Sequence, residues 1–326
     1  MSSEKSIIYI LLLTSCLFSF CSTKEEAEYV FKLGHVANED HTWHQAVLYF
    51  DKILDERTNG EVRVRVFSSE QIGKEVEIIR SIRAGIADMT ITAGTLQNWS
   101  DVAAFSDMPF LLRDTNHLNA LAKSDIGGYI KQKILEDTGL RVICYFQRGP
   151  RHLTSNRPIQ HPKDLDGIIV RIPNVPSYVV AWQALGAKPT PMAFSEVFTS
   201  LQQGTVQAQE NPLAMISSAN FSEVQDYLNL TEHVISWGYV VIGDRQFKEM
   251  PVEYQEIFLE AAKEMQEYEH TLFLEKEKLL RQELEDDGMQ FIDVDLKEFQ
   301  EIGSDAVYNS LDEDMKDLYL RIKELK

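Results

Sequence analysis

Cysteine is scarce, with three residues among 326: Cys16, Cys21 and Cys144. Two fall at the extreme N-terminus, so the body of the chain offers neither a disulfide framework nor cysteine-based metal spacing. Cys144 is expected to be a lone, buried thiol. Positive charge is also short. Lys and Arg total 32 against 51 Asp and Glu, a formal net charge of −19. A phosphate backbone needs a basic face, so this balance excludes nucleic acid as a partner. Nor does it draw a small anion from a distance, so an anion would have to be captured by local cations in a cleft.

A long apolar run is missing too. The stretch from Ile7 to Cys21 covers about 15 residues, short of the ~20 that cross a bilayer as a helix. Lys5 precedes it and small Thr14 and Ser15 lead into Cys16, so residues 1–21 read as a signal peptide. L-T-S-C resembles a lipoprotein-processing box and would place a lipid on Cys16. Cys21, followed by S-T-K-E-E, is the rival, although Phe20 fits the small-residue rule badly. Cleavage near Cys21 without a lipid remains the third option.

Catalytic signatures are absent as well. No G-x-G-x-x-G follows a strand, and there is no phosphate loop and no G-x-S-x-G elbow. His41 and His44 stand three apart in H-T-W-H, but two histidines do not make a metal site. They can equally cap or flank a helix start. Glu285, Asp286 and Asp287 read as a solvated helix end. The expectation is a protein with no cofactor, no metal and no catalytic residues.

What is present is an alternation of strand and helix signals, which argues for an α/β architecture. Tyr29 to Val36 reads as a strand and Trp43 to Arg57 as a helix, with Val47, Leu48, Phe50, Ile53 and Leu54 at helical spacing. Asn59 and Gly60 close it, since both tolerate the left-handed region. Val62, Val64 and Val66 alternate with charges, as in a half-exposed strand. A helix lies between Gly73 and Gly85, and strands are expected at 87–93, 141–149 and 168–173. Val175 to Leu185 is helical. Ser195 to Gln203 is a short helix that Ser195 could cap. Val252 to Glu285 reads as one helix approaching ~50 Å or as a kinked pair. A short strand at 290–294 and final helices follow.

The sharpest anomaly lies between Arg151 and Pro212. Arg171 interrupts the apolar run I-I-V-R-I-P. A buried guanidinium is costly alone, so it needs an internal carboxylate or a ligand that brings one. The residues leave both options open. Arg151 follows Gly149 and Pro150 and reads as a loop arginine. Asn211 precedes Pro212 and is biased toward extended geometry; its amide could contact a carboxylate or cap the next helix. Trp43, Trp99, Phe194 and Trp237 are large apolar surfaces, more often core than ligand platform.

These stretches resemble the solute-binding proteins of tripartite ATP-independent periplasmic (TRAP) transporters, the DctP-like family. The residues carrying the resemblance are R-H-L-T-S-N from Arg151, D-L-D-G-I-I-V-R-I-P ending at Pro173, L-G-A-K-P-T-P-M-A-F-S-E-V-F from Leu185, and Q-E-N-P ending at Pro212. L-G-H-V, E-R-T-N-G, V-F-S-S-E-Q-I-G-K-E and M-P-F-L-L-R-D extend it over nearly the whole mature chain. The resemblance implies a two-lobed α/β fold with a ligand cleft between lobes and a long C-terminal helix bracing both. The expected divisions are 29–150 for the first lobe, 151–240 for the second, and 241–326 packing across both. It implies that Arg171 forks onto a substrate carboxylate, that Arg151 is a second arginine at the same group, and that Asn211 supplies an amide. Asn174 and Phe194 match positions that line the pocket, and His41 and Trp237 join them as candidates. Sialic-acid-binding members carry an asparagine and a glutamate where this sequence has Val36 and Gly94, so sialic acid is disfavoured. H-T-W-H and L-Q-N-W resemble members that bind uronic and other sugar acids; dicarboxylates stay open. The implied partners are a small carboxylate and TRAP membrane subunits, with the protein a monomer in the periplasm. The alternatives are a ligand sensor and, on a similar scaffold, an enzyme.

Overall fold

Val62, Val64 and Val66 alternate with arginines and form strand β2 (Val62–Phe67), parallel to β1 (Tyr29–Gly34). Between them runs α1 (Thr42–Arg57), whose buried face carries Trp43, Ala46, Val47, Phe50, Ile53 and Leu54. The Nδ1 of His41 accepts from the Trp43 amide at 3.2 Å and so caps this helix. At its other end Asn59 (φ 53°) and Gly60 (φ 90°) adopt the left-handed turn expected of them. The computed structural model describes residues 27–326. The signal peptide and both lipidation candidates, Cys16 and Cys21, lie outside the described residues.

Helix α2 (Glu75–Arg83) follows, then β3 (Met89–Thr92) and two 3-10 turns at Gly94–Asn98 and Asp101–Ser106. Helices α3 (Thr115–Lys123) and α4 (Asp125–Thr138) lead into β4 (Leu140–Ser155). The second half brings β5 (Ile169–Ile172), α5 (Pro176–Ala184), β6 (Lys188–Pro191), α6 (Val197–Gln202), β7 (Ala208–Pro212) and α7 (Leu213–Ser218). Strand β8 (Tyr227–Gly243) then precedes α8 (Asp244–Glu249), α9 (Val252–Asp286), β9 (Gln290–Ile292), α10 (Leu296–Ser310) and α11 (Glu313–Lys323).

The strands join in the order β2-β1-β3-β8-β4-β7-β5-β6, with β9 on β8. One lobe is built on β1, β2 and β3, the other on β5, β6 and β7. Strands β4 and β8 are long enough to serve both. Tyr239–Ile242 of β8 pairs with β3, whereas its first residues pair with β9 and with the end of β4. A division at residue 240 therefore falls inside β8. The β4–β8 register breaks between Gln147 and Pro150, where Gly149 has φ 71°. A bulge at this point bends the strand between the lobes.

Helix α9 is a single helix of 35 residues, about 50 Å long at 1.5 Å per residue. Its Phe258, Ala261, Ala262 and Met265 pack with Phe31 and Phe50 in the first lobe. Its Leu280 and Leu284 pack with Leu213 and Phe221 in the second. Helix α10 puts Phe299 into the second lobe's core, and Val307 with Tyr319 and Ile322 of α11 into the first.

Three local expectations are corrected. Strand β4 continues through Pro150 to Ser155, so Arg151 is a strand residue, 2% exposed, and not a loop arginine. Ser195 does not cap a helix: it lies in a 3-10 turn, Phe194–Glu196, ahead of α6. Asn211 is inside β7 and caps nothing. Cys144 is a free, buried thiol, as its isolation implied.

Candidate functional site

A cavity of about 420 Å³ opens between the lobes, within the range of small-ligand sites. The first lobe contributes Val36, Glu70, Lys74, Glu75, Gly94 and Asp107 to its wall. The second supplies Arg171, Asn174, Met192, Phe194 and Asn211, while Arg148 and Arg151 come from β4. Contacts between the lobes hold it shut. Tyr178 donates to Asp107 Oδ1 at 2.8 Å, Asn98 Nδ2 to the Asn174 carbonyl at 2.8 Å, and the Ser195 amide to Glu70 Oε2 at 3.3 Å. Lys74 and Glu196 form an ion pair at the rim.

Arg171 sits in β5 with its stem among apolar neighbours and is 2% exposed. Its Nε and Nη2 both donate to the Met192 carbonyl, at 3.0 and 2.6 Å. Among the described residues no carboxylate forms an ion pair with it. That leaves Nη1 and one Nη2 hydrogen uncommitted. The guanidinium lies 5.9 Å from the centre of the Phe194 ring. Burial, with a further push from Arg151 against the opposing pull of Glu210, lowers its pKa to about 10. It stays charged at neutral pH, in a place where a counter-charge would be welcome.

Arg151 is different. Its Nε donates to Glu210 Oε2 at 2.5 Å and its Nη2 to Glu210 Oε1 at 2.9 Å. Its Nη2 also donates to Asn211 Oδ1 at 3.1 Å. Glu210 is fully buried and accepts from His233 Nε2 at 2.9 Å. Burial lowers the His233 pKa, so a neutral ring donates from Nε2 and turns Nδ1 toward the Thr231 hydroxyl at 2.8 Å. Burial opposes the Arg151 charge, but Glu210 more than restores it and raises the pKa. The second arginine of the sequence reading is thus neutralised by an internal acid. Its ring neighbour Tyr178, 5.5 Å away, links it to Asp107.

Asn211 is occupied on both sides of its amide: Oδ1 by Arg151, and one Nδ2 hydrogen by Gln209 Oε1 at 2.7 Å. One N–H remains. Asn174 is exposed in the wall, and Phe194 is half-buried against Phe221. The other two candidates lie elsewhere. His41 faces a much smaller cavity, with Trp43, Arg148 and Phe273, and burial lowers its pKa to about 3. Trp237 packs between Tyr145 and Tyr239 in the first lobe's core, where its large ring completes the packing. Gly94 owes its identity to Asp107: its amide donates to Oδ2 at 2.8 Å, and an added Cβ would stand 2.4 Å from that oxygen.

Sequence reasoning passed over Glu210, Asp107, Tyr178 and Arg148. Glu210 carried no comparable signal: in A-Q-E-N-P it is flanked by Gln209 and Asn211, and it is the structure that shows the strand to be wholly buried.

Two lobes, a shared pair of long strands, a bracing helix and a cleft between the lobes are the architecture of a solute-binding protein. The chain belongs to the DctP family of bacterial extracellular solute-binding proteins, family 7, whose profile matches residues 33–323; it is a solute-binding protein of the TRAP type. A solute-binding protein of Roseobacter denitrificans is 46% identical over 307 residues, 94% of each chain. A crystal structure of a TRAP solute-binding protein from that organism, with L-galactonate bound, superposes with a TM-score of 0.89 and 46% identity, covering 91% of this chain and 99% of that one. The 2,3-diketo-L-gulonate-binding periplasmic protein of Escherichia coli is 33% identical over 94% of this chain and 92% of its own length. A Haemophilus influenzae TRAP structure with bound L-gulonate gives a TM-score of 0.86 at 30% identity, covering 91% and 100% of the two chains. Among the described residues no helix is long and apolar enough to cross a membrane.

Proposed function

We propose that this protein captures a sugar-acid monoanion, such as a hexonate or hexuronate, in the periplasm and hands it to TRAP membrane subunits. The observation that carries the reading is the uncompensated guanidinium of Arg171 in the wall of the cleft. The ligand carboxylate takes its free donors as a planar fork. The remaining N–H of Asn211 reaches the same group or a neighbouring hydroxyl, and Phe194 and Asn174 bound the space. Arg151 acts from behind, holding Asn211.

The opposite wall favours a polyol over a second carboxylate. Glu70, Glu75 and Glu77 line it from the first lobe and outnumber the cations there, Lys74, which is paired with Glu196, and Arg80. Hydroxyl groups donate to such oxygens, whereas another carboxylate would be repelled by them. This argues against C4-dicarboxylates, although a TRAP protein from Sulfurospirillum deleyianum that is 27% identical holds succinate. Val36 and Gly94 both line the cavity and neither offers a polar side chain, which supports the exclusion of sialic acid. Charge-assisted hydrogen bonds contribute roughly 1.5–3 kcal/mol each. A few of them reach micromolar affinity, about −8 kcal/mol, after the cost of closure. The protein works as a monomer and its role is capture, not turnover.

The test is calorimetry with L-galactonate, L-gulonate, D-galacturonate, D-glucuronate and succinate on wild type and Arg171→Ala. Wild type binds a sugar acid and the variant binds none. Unchanged affinity in the variant removes Arg171 from the site, and a preference for succinate sinks the sugar-acid assignment.

A further inference from the structure

Of the arginines around the cleft, Arg148 has the least to hold it. It lines the main cavity and also the small one beside His41. Among the described residues it makes no hydrogen bond and no ion pair, and its Nε is buried without a partner. Its contact is with the Trp43 ring, 5.8 Å from the guanidinium. Its charge is also felt by His41, whose own pKa is lowered chiefly by burial and then by neighbouring positive charge. Arg151, three residues on, commits its Nε and Nη2 to Glu210 and Asn211.

Position adds to this. Arg148 lies inside the β4 register break between Gln147 and Pro150, where the strand passes from one lobe to the other. Its neighbour Gly149 (φ 71°) is pressed against α9: a Cβ there would stand 3.1 Å from Glu277 Oε1 and 3.3 Å from Phe273. The backbone that carries Arg148 is therefore fixed against the bracing helix, while the side chain has no protein acceptor. A half-buried cation without an acceptor pays for its lost hydration unless a ligand supplies one.

Resting on the sugar-acid reading above, we propose that Arg148 is a further cation that contacts the ligand, donating to oxygen atoms of the anion whose carboxylate is held by Arg171. Trp43 serves as the platform that keeps the guanidinium flat and aimed into the cleft, a cation–π arrangement. Specificity at the junction between the lobes then depends on residue 148, and the ligand ties both lobes to the strand that joins them.

The experiment compares Kd and the melting point of the free protein for wild type, Arg148→Met, Arg148→Gln and Arg148→Lys. The probe is whichever of L-galactonate, L-gulonate, D-galacturonate, D-glucuronate and succinate wild type binds most tightly. Arg148→Met and Arg148→Gln are expected to weaken binding about tenfold to hundredfold, the fold-change of about 1.5–3 kcal/mol. Their free proteins melt close to wild type, because no hydrogen bond or ion pair is lost and only the contact with the Trp43 ring changes. Arg148→Lys recovers only part of the affinity, since the ammonium lacks the fork. Wild-type affinity in Arg148→Met and Arg148→Gln overturns the inference, and so does a weakened Kd matched by an equal loss in the free protein's stability. Wild-type protein that binds none of the five anions refutes the functional reading and this inference with it. A wild type that prefers succinate refutes the sugar-acid reading, while the Arg148 comparison still decides the contact.

Discussion

Glu210→Gln keeps the shape of a buried side chain and deletes its charge, which tests whether Arg151 is an internal cation. Arg151 is 2% exposed and Glu210 0%. A buried ion pair adds little over a well-packed apolar pair, but removing one member strands the other, at about 3–5 kcal/mol. Proton linkage gives an independent figure. Burial pushes the Glu210 carboxyl up, yet Arg151 and His233 outweigh it and hold it at about 2, against an ordinary 4.5. At about 1.36 kcal/mol per pH unit this is worth about 3 kcal/mol. The folded-state pKa is depressed, so the contribution is present above pH 4.5 and is lost as pH falls through about 2. For a chain of this size about 2–4 °C accompanies each kcal/mol, so the variant should melt roughly 6–12 °C below wild type near neutral pH. The gap should narrow as the pH falls from about 4.5 toward 2. Calorimetric melts across that window read both quantities. A variant that melts with wild type at neutral pH, or a gap that ignores pH, refutes the claim that Glu210 neutralises Arg151.

The other predictions concern the cleft and the long helix. Arg171→Met removes a buried cation with no ion-pair partner, so the free protein is expected to melt no lower than wild type, the relieved burial of the charge offsetting the hydrogen bonds lost at the Met192 carbonyl, while ligand binding disappears; a lower melting point with binding retained would reverse the assignment. Arg171→Lys keeps the charge but not the fork, and its Kd, read by calorimetry, should rise at least about tenfold. Burial raises the Glu269 carboxyl to about 8, despite hydrogen bonds from the Gln147 amide and Thr42. The folded state thus holds a proton that the unfolded chain releases near pH 4.5. Stability is full below that pH and declines as pH rises toward 8; chemical denaturation should show Glu269→Gln free of this decline. Lys74→Met breaks a rim ion pair that is partly exposed on both sides. It should raise the ligand's dissociation rate by only about twofold to fivefold, since such pairs are worth about 0–1 kcal/mol; a larger effect in stopped flow would mean that the latch dominates closure.

Elements with a clear period were legible in the sequence. The apolar spacing of Val47, Phe50, Ile53 and Leu54 marks α1, the alternation from Val62 marks β2, and Phe258, Ala261 and Met265 mark one face of α9. Strand β4 was legible only to Gly149, because Gly-Pro reads as a loop. Here it is a bulge, after which pairing resumes with Pro150 opposite Ile235, and that resumption turns Arg151 inward. Strand β6 carries two prolines in K-P-T-P, tolerable at the sheet edge it occupies and silent to any propensity argument. Helices α3 and α4 pack apolar faces that no chemistry in the sequence had flagged.

The site divided along the same line. The anomaly at Arg171 was local, a charge inside β-branched residues, and its place in the cleft wall agrees with that anomaly. Which arginine has a partner was not local. Glu210 is 59 residues from Arg151 and meets it because β4 and β7 run antiparallel with Leu153 opposite Glu210. A sequence can mark a charge that needs compensation, but the sheet register decides where the compensation comes from. The same register leaves Arg148 without an acid, although nothing in Q-R-G-P-R separates its two arginines. If the register were set differently by one residue, side chains on β4 would exchange faces and Arg151 would be turned away from Glu210. Substitutions that disturb the bulge at Gly149 should therefore raise the ligand's Kd, because that bulge sets where Arg148 and Arg151 meet the cleft wall.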